Sequence, residues 1–289
     1  MSADKMPTRH AKSTAGDRTF AAVSHVVLLI WTVIVITPML WALLSSFKTS
    51  REIFASPFSL PESMQWDNYR RAWNDSGIGQ SFVNTLIVVF SALFLVMLLG
   101  AMCAYVLARF KFRGSRLIYW ALLAGLTFPI FMAMVPLYSI MNQLGLLSTK
   151  TGLIIVYVAF ALPFTVFFLY AFFRTLPREI QEASYVDGAG EWATFFRVML
   201  PMAGPGMASV AIFNFLGLWN QYLIPISLNT KPENYVLSQA LGKYLAATTY
   251  EVDYGGLFAA VIITIVPVLI TYVIFQRQLQ GSVSKSTMK

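Results

Sequence analysis

Residues 83–107 read VNTLIVVFSALFLVMLLGAMCAYVL, and no charged side chain interrupts this run. A helix that crosses the hydrocarbon core of a bilayer needs about 20 consecutive, mostly apolar residues. A strand of a membrane barrel needs only about 10 residues, so a run of this length indicates a helix. Residues 83–107 therefore predict a transmembrane helix.

The same pattern recurs along the whole chain of 289 residues, of which 57% are hydrophobic and 12% are charged. This charged share is about half that of an ordinary soluble domain. One water-soluble core of this size cannot bury so much apolar surface. The sequence therefore predicts an all-α integral membrane protein whose transmembrane domain covers residues 20–276. Its six predicted spans lie at about residues 20–45, 83–107, 117–141, 152–173, 199–224 and 257–276.

The distribution of lysine and arginine orients the chain, because these residues are enriched in cytoplasmic loops. With a cytoplasmic N-terminus, the inside segments hold 14 of the 21 Lys and Arg residues and the outside loops hold seven. This bias predicts that both termini are cytoplasmic, with a disordered N-tail at residues 1–19 and a C-tail at residues 277–289. Topology thus accounts for the net charge of +8, and no nucleic-acid partner is expected.

One predicted cytoplasmic loop is unusually polar for this chain. Residues 177–197, here called the Glu182 segment, read PREIQEASYVDGAGEWATFFR. Pro177 suits the first position of a helix, and Glu179 places a negative charge near the positive end of that helix. Gly188 is positioned to stop the helix in a left-handed conformation.

A second short helix is predicted from Glu191 onward, and Leu200-Pro201 ends it before the next span. Together the two helices resemble the EAA motif of the permease subunits of binding-protein-dependent ABC importers. That motif reads Glu-Ala-Ala, three residues, Gly, nine residues, Ile-x-Leu-Pro. At the same spacing this chain has Glu182-Ala183-Ser184, Gly188 and Val198-Met199-Leu200-Pro201. Ser184 and Val198 depart from the motif, and both are close in size to the residues that they replace.

The resemblance covers most of the chain and favours the carbohydrate-type, MalG-like branch of that family. The stretches DNYRRAW (67–73), FVNTLIV (82–88) and FNFLGLWNQYLIP (213–225) are also similar to that branch. The resemblance implies the type I importer permease fold with six transmembrane helices. It also implies a multi-pass protein of a bacterial or archaeal cytoplasmic membrane.

A division of labour between subunits follows from the same resemblance. The Glu182 segment would be a coupling segment that sits in a groove of a separate cytoplasmic ABC ATPase. ATP-driven closure of two such ATPase subunits would switch the permease between inward-facing and outward-facing states. A second, homologous permease subunit and an extracytoplasmic solute-binding protein complete the expected complex within the lipid bilayer. The residues expected to act in ATPase coupling are Glu182, Ala183, Ser184, Asp187, Gly188, Leu200 and Pro201.

Enzyme chemistry is not expected in this chain. The sequence has no G-x-x-x-x-G-K-[ST] phosphate-binding loop, so ATP and Mg²⁺ are expected on the partner ATPase and no cofactor on this chain. The two histidines, His10 and His25, make no metal cluster, and no catalytic triad can be assembled. We expect a transport subunit that binds other molecules, gates a path and changes conformation, without bond-making chemistry.

Polar residues within the spans are candidates for the substrate pathway, because such residues usually face other helices or a water-filled path. The densest group is Asn214, Trp219, Asn220 and Gln221, and Asn84 is a further candidate. Aromatic faces and amide groups suit a sugar, which offers apolar C–H faces and many hydroxyls. The amides have an alternative role as bonds between helices. The absence of charge within the predicted spans favours a neutral, polar solute.

Two long outside loops, at about residues 46–82 and 225–256, are the expected contacts of the binding protein. Within the second loop, VLSQALGKYLA (236–246) repeats apolar residues at helical spacing. This pattern predicts a helix that lies along the outer membrane surface.

The function predicted from the sequence is inward transport of a sugar or oligosaccharide by alternating access. One alternative keeps the ABC permease and changes the cargo to an amino acid, a peptide or a polyamine. The carbohydrate-type sequence around Asp187-Gly188 and Trp219-Asn220 speaks against it by resemblance. A second alternative is an ion-coupled secondary transporter, which would be expected to carry an acidic residue within the membrane. A third is a membrane scaffold without transport activity.

Overall fold

The computed structural model describes the backbone of residues 15–251 and 253–284 and the side chains of residues 20–247 and 253–276. Every regular element within these ranges is helical, so the all-α class is confirmed. The four long helices are α1 (Ala15–Ser45), α4 (Ile78–Arg109), α7 (Lys150–Thr175) and α14 (Tyr254–Ser284). The shorter helices are α2 (Ser50–Ala55), α3 (Asp67–Arg70), α5 (Ser115–Thr127), α6 (Ile130–Gln143), α8 (Arg178–Val186), α9 (Glu191–Ala193), α10 (Leu200–Met202), α11 (Gly204–Trp219), α12 (Leu223–Leu228) and α13 (Leu237–Glu251).

Four helices in the described part of the chain are long and apolar enough to cross a membrane. They are Phe20–Ser45 of α1, α4, α7 and Tyr254–Gln276 of α14. Two further pairs of helices pass the same test together, each bent at a short break. By length and composition, the described residues therefore contain four candidate spans, or six if each bent pair counts as one span.

The first bend divides the predicted span at residues 117–141. α5 ends at Thr127 and α6 begins at Ile130, and the two helices meet at an angle of 106°. Phe128 has an extended ψ of 121° because the ring of Pro129 clashes with a helical conformation of the residue before it. Two helices thus replace the continuous helix expected at this position.

The second bend lies at the start of the predicted span at residues 199–224. The helical stretch Glu191–Met202 continues past Pro201 and meets α11 at 76°. Leu200-Pro201 therefore does not end the second short helix, contrary to the expectation. Pro201 lies in the last turn of this stretch, which ends one residue later at Met202.

The packing of α4 against α7 forms the centre of the core. Gly100 makes this close approach possible, because a Cβ on it would lie 2.5 Å from Cγ2 of Thr165. Small residues at helix interfaces let backbones approach in membrane proteins. Buried side chains on both helices, including Val88, Val96, Leu169 and Phe173, fill this interface, and α11 and α14 pack around it.

The predicted helix at residues 236–246 is confirmed as part of α13. Its apolar residues Val236, Leu237 and Ala240 are buried, and the helix packs against α4 and α14. The backbone N–H of Leu237 donates to Oγ1 of Thr85 at 2.7 Å. Protein therefore covers the first turns of the predicted apolar face, whereas Leu245 farther along it is 56% exposed.

Both predicted tails lie partly outside the described residues, which exclude 1–14 and 285–289. α1 begins at Ala15 and α14 extends to Ser284. The first and last turns of the bundle therefore reach into the ranges that were predicted as tails.

Candidate functional site

The Glu182 segment lies at one end of the bundle, here called the segment end, where α4 and α7 finish. Nη2 of Arg109, the last residue of α4, donates to the carbonyl oxygen of Leu176, which follows α7, at 2.8 Å. At the opposite end, here called the loop end, Nδ2 of Asn84 donates to the carbonyl oxygens of Glu233 and Tyr235, both at 2.9 Å. The long helix α4 thus connects the Glu182 segment with the loop between α12 and α13.

The first helix of the Glu182 segment forms nearly as predicted. Pro177 is the residue before α8, with a ψ of 139°, and Arg178 is the first helical residue. Glu179 lies in the first turn, where the positive end of the helix stabilises a carboxylate. The predicted start is therefore wrong by one residue.

Gly188 stops α8 in the left-handed conformation that the sequence predicts, with a φ of +81°. Its N–H donates to the carbonyl oxygen of Tyr185 at 3.0 Å, and the N–H of Ala189 donates to that of Ser184 at 2.9 Å. This pair of bonds is a Schellman motif, which satisfies the last carbonyls of a helix. The sharp turn between the two short helices is thus fixed by the backbone.

The inner face of α8 is joined to the second helix by buried hydroxyls. Oγ of Ser184 donates to the carbonyl oxygen of Gln181 at 2.7 Å and lies 2.9 Å from Oγ1 of Thr194. All three residues are buried. The serine that departs from the Glu-Ala-Ala pattern therefore makes a hydrogen bond that alanine cannot make.

A tyrosine closes the turn from the other side. The Tyr185 hydroxyl donates to Oε2 of Glu191 at 2.8 Å and accepts from Nε2 of Gln181 at 2.9 Å. Glu191 opens the second helix, as predicted. Hydrogen bonds therefore hold both short helices in one arrangement.

The outer face of the Glu182 segment is exposed, and the segment also carries two large exposed apolar side chains, of which Trp192 lines a cavity with Tyr105 of α4. Val186 is 87% exposed and Trp192 is 66% exposed. Exposed apolar groups within a polar segment are typical of a contact surface, and tryptophan is enriched in such contacts. The sequence reasoning missed both residues, although an aromatic residue in a polar loop is a usable signal.

Of the predicted coupling residues, Glu182, Ala183, Asp187 and Gly188 lie exposed, Ser184 lies buried, and α10 holds the half-buried Leu200 and the exposed Pro201.

Arg109 is a further residue that the sequence reasoning used only as a topological charge. Its partly buried guanidinium connects the end of α4 to the residue before the Glu182 segment. Its Nε is buried and has no hydrogen-bond partner among the described residues. An arginine two residues after the end of a predicted span was the available signal.

The structure separates the predicted pathway residue Asn84 from the others. This side chain is 0% exposed, and its Oδ1 accepts a hydrogen bond from Nε2 of Gln80 at 3.1 Å. Its amide nitrogen holds the loop carbonyls of Glu233 and Tyr235. In this conformation Asn84 therefore joins the loop to α4.

Asn214 and Trp219 also make contacts between helices. Nδ2 of Asn214 donates to Oγ1 of Thr165 at 2.8 Å, and Nε1 of Trp219 donates to the carbonyl oxygen of Thr264 at 3.2 Å. Asn214 in addition lines a cavity of about 410 Å³. The aromatic walls of that cavity are Phe128, Phe160, Phe164 and Phe213.

The last two pathway candidates lie where α11 ends. Asn220 is exposed, and its Nδ2 donates to the carbonyl oxygen of Leu216 in its own helix at 2.9 Å. Gln221 is half-buried, and its backbone carbonyl oxygen accepts a hydrogen bond from Oγ of Ser238. The five candidates therefore do not line one common surface.

Asn84→Leu is expected to destabilise the protein more than it changes transport. Two carbonyl oxygens would lose their donor, at about 1–3 kcal/mol for each buried group left unpaired. Thermal unfolding in detergent should show a midpoint several degrees lower, whereas Asn74→Leu, the same change at an exposed position, should unfold close to wild type. Normal unfolding together with lost uptake would instead make Asn84 a residue of the pathway.

An ionic network at the loop end joins the two predicted outside loops. Arg71 contacts Asp67 and donates from Nη2 to Oδ1 of Asp253 at 3.1 Å. Burial alone would raise the pKa of Asp253, but hydrogen bonds from Arg71, Tyr244 and the Gly256 N–H outweigh it and lower this pKa. Burial and the bond to Asp253 raise the pKa of Tyr244 to about 12. The carboxylate therefore stays ionised and keeps these loops together.

Among the described side chains, those of residues 20–247 and 253–276, no group of three or more His, Cys, Asp or Glu residues could hold a metal ion. At the segment end, two short helices are joined by a hydrogen-bonded turn, and their outer face is exposed. Such an arrangement can dock another protein and transmit its movement to α4 and α7.

Comparison with known families places the same segment within a larger matching region. A family model described as "binding-protein-dependent transport system inner membrane component" matches residues 96–285. This match includes the Glu182 segment, α11 and α13.

Named relatives match over nearly the whole chain. The diacetylchitobiose uptake system permease protein NgcG of Streptomyces coelicolor is 60% identical over 96% of this chain and 92% of its own length. The trehalose transport system permease protein SugB of Mycobacterium tuberculosis is 30% identical over 87% of this chain and 92% of its own length.

A solved structure shows the same fold. A chain of a bacterial ABC transporter involved in the import of the acidic polysaccharide alginate superposes with a TM-score of 0.79. The sequences are 22% identical, and the match covers 92% of this chain and 99% of the other.

Proposed function

Since the chain belongs to the family of binding-protein-dependent transport system inner membrane components, we propose that it moves a short sugar inward with energy from a partner ATPase. The chain is a transport subunit and a multi-pass protein of the bacterial cytoplasmic membrane.

The proposed cargo is a short N-acetylated sugar of the diacetylchitobiose type. The single observation that carries this choice is the 60% identity to a diacetylchitobiose permease over 96% of the chain. The trehalose permease at 30% identity supports the broader class of sugars. Neutral sugars also agree with spans that hold no charged residue.

The proposed coupling surface is the exposed outer face of the Glu182 segment. Glu182, Ala183, Asp187 and Gly188 would contact a groove of the ATPase, and Val186 and Trp192 would be buried there. Ser184 supports this face from beneath through its contact with Thr194. Arg109 would carry the movement of the segment into α4 and α7, because its hydrogen bond crosses between their ends. Leu200 and Pro201 would act at the bend where the segment continues into α11.

In the proposed topology the segment end and both termini are cytoplasmic, with tails flanking a transmembrane domain at residues 20–276. The excess of Lys and Arg in the inside segments supports this orientation. ATP and Mg²⁺ would bind two ATPase subunits at the segment end. A second permease subunit would complete the transport path, and a solute-binding protein would contact the loops at residues 46–82 and 225–256.

Asn214, beside its aromatic cavity, is the best supported pathway candidate, ahead of Asn84, Trp219, Asn220 and Gln221.

Deletion of the gene tests the proposed function. We expect cells without this subunit to lose uptake of radiolabelled diacetylchitobiose and to regain it when the gene is restored. Deletion of the partner ATPase gene should have the same effect. Loss of amino acid, peptide or polyamine uptake, with normal sugar uptake, would favour the alternative cargo. Uptake that survives without an ATPase and stops when the proton gradient is dissipated would indicate a secondary transporter.

A further inference from the structure

A second candidate site lies at the loop end, far from the Glu182 segment. It is a cavity of about 370 Å³ between the start of α12 and the outer side of α13. Its polar and aromatic lining residues are Tyr222, Asn229, Thr230, Tyr235, Gln239 and Lys243. Tyrosine rings, amides, a hydroxyl and one ammonium group are the chemistry that binds a neutral polar molecule.

Asn229 provides the observation that points to a ligand. This side chain is 1% exposed, and its Nδ2 donates to the carbonyl oxygen of Asn234 at 2.7 Å and to Oε1 of Gln239 at 3.2 Å. Both bonds use the nitrogen, so the orientation of the amide is fixed. Its Oδ1 is buried without a hydrogen-bond partner among the described residues. A buried acceptor without a donor is rare and calls for an explanation, and a donor on a bound ligand supplies one.

The wall around Asn229 is held rigidly by Ser148. This residue is the one non-glycine with a positive φ, +57°, in the described part of the chain, a strained conformation that is enriched at functional sites. Its Oγ accepts from the Thr230 N–H at 2.9 Å, and its carbonyl oxygen accepts from Nδ2 of Asn234 at 2.8 Å. The loop that carries Asn229 and Thr230 is therefore fixed to the start of α7, which suits a preformed binding site.

Lys243 and Tyr235 form the opposite wall. Nζ of Lys243 lies 4.3 Å from the centre of the Tyr235 ring, so the ring holds the ammonium group in place. Gly242 lies beside them, and a Cβ there would come within 3.2 Å of the Tyr222 ring. The cavity thus has a donor at Lys243, and the unpaired acceptor of Asn229 lies buried in its wall.

We propose that this cavity is a subsite for one N-acetylated ring of the sugar cargo, occupied before the sugar enters the spans. The inference rests on the proposed function, because the cargo defines the ligand. An acetamido N–H would donate to Oδ1 of Asn229, and the acetamido oxygen would accept from Lys243. The ring would lie against Tyr222.

Ala246→Trp is the main test, because Ala246 lines the cavity and is exposed, so the larger side chain fills the cavity without entering the core. The complete transporter, with its own ATPases, second permease and binding protein, is reconstituted in proteoliposomes. We expect uptake of radiolabelled diacetylchitobiose to fall by about tenfold or more, because a filled cavity would deprive the sugar of its proposed hydrogen bond from the charged Lys243. The affinity of the binding protein for the complex should stay within about twofold of wild type, because buried interface area by itself does not set affinity.

Matched controls separate the cavity from its surroundings. Ala121→Trp makes the same change at an exposed position of α5, outside this cavity and outside the loops proposed to contact the binding protein, and should leave uptake close to wild type. Lys243→Gln should reduce uptake, whereas Lys111→Gln removes the same charge from an exposed position outside those loops and should not. Lys243→Gln also keeps the test valid if Ala246→Trp fails to fold.

Three outcomes would overturn the inference. Normal uptake in both Ala246→Trp and Lys243→Gln would show that the cavity does not handle sugar. An equal fall in binding-protein affinity would make it a docking surface for that protein. Absence of diacetylchitobiose uptake by the wild-type transporter would defeat the proposed cargo and this subsite together, which distinguishes it from the first two outcomes.

Discussion

Gly188→Val is expected to detach the ATPase from the membrane subunit while the subunit still inserts into the membrane. Gly188 has a φ of +81° in the turn that presents the exposed face of the Glu182 segment. Valine is β-branched and disfavours this conformation, so the turn would change its shape and the outer face would lose its fit. We expect the amount of ATPase that co-purifies to fall by at least about tenfold, the equivalent of 1.4 kcal/mol, and sugar uptake to fall with it.

The fold itself should survive this substitution. A Cβ at position 188 would meet no atom of the described residues within 4 Å beyond its chain neighbours. The direct cost is therefore the left-handed conformation, about 1–2 kcal/mol for a residue with a side chain. A domain with a stability of about 5–15 kcal/mol tolerates such a cost.

Gly190→Val is the matched control for this prediction. Gly190 is exposed in the same turn, has a φ of −73°, and also has open space at its Cβ. Because this backbone conformation accepts any side chain, the variant should retain most of its ATPase. Gly188→Asn should be intermediate, since asparagine tolerates the left-handed region. If Gly188→Val binds the ATPase and imports sugar as wild type does, the assignment of the coupling surface is wrong.

Arg109→Gln is expected to lower sugar transport per ATP hydrolysed and to leave ATPase binding intact. The variant loses the charged donor that joins the end of α4 to the Leu176 carbonyl at 2.8 Å. Hydrogen bonds to charged groups contribute about 1.5–3 kcal/mol, so we expect this ratio to fall by about tenfold or more. The measurement is simultaneous sugar uptake and phosphate release in proteoliposomes.

Two variants control the Arg109 prediction. Arg113→Gln removes the same charge from an exposed position in the same loop and should keep the wild-type ratio. Arg109→Lys retains a donor and should recover part of the ratio, which a purely structural role would not predict. A ratio within about twofold of wild type in Arg109→Gln, too small for a lost charged hydrogen bond, would contradict a role for this residue in transmission.

Local chemistry explains why parts of the fold and the site were predictable. Long apolar runs identify helices such as α4 because the bilayer requires that composition, and Gly188 is identifiable because a left-handed helix stop favours glycine. The bend before Pro129 was not resolved by composition, although its cause is local. The apolar face of α13 was misplaced for a different reason: hydrophobic spacing indicates a buried face and does not say whether lipid or protein covers it.

The sequence by itself determined the class of protein, its helical character, the left-handed turn at Gly188 and the family to which the chain belongs. Those features depend on neighbouring residues and on the solvent that each residue type prefers. Only the tertiary structure decided that Arg109 reaches Leu176, that Asn84 holds a loop, and that Asn229 keeps an unpaired oxygen beside a cavity. These contacts join residues that are distant in the chain, and the same amide or guanidinium can bond a helix, a loop or a ligand until packing fixes its partner.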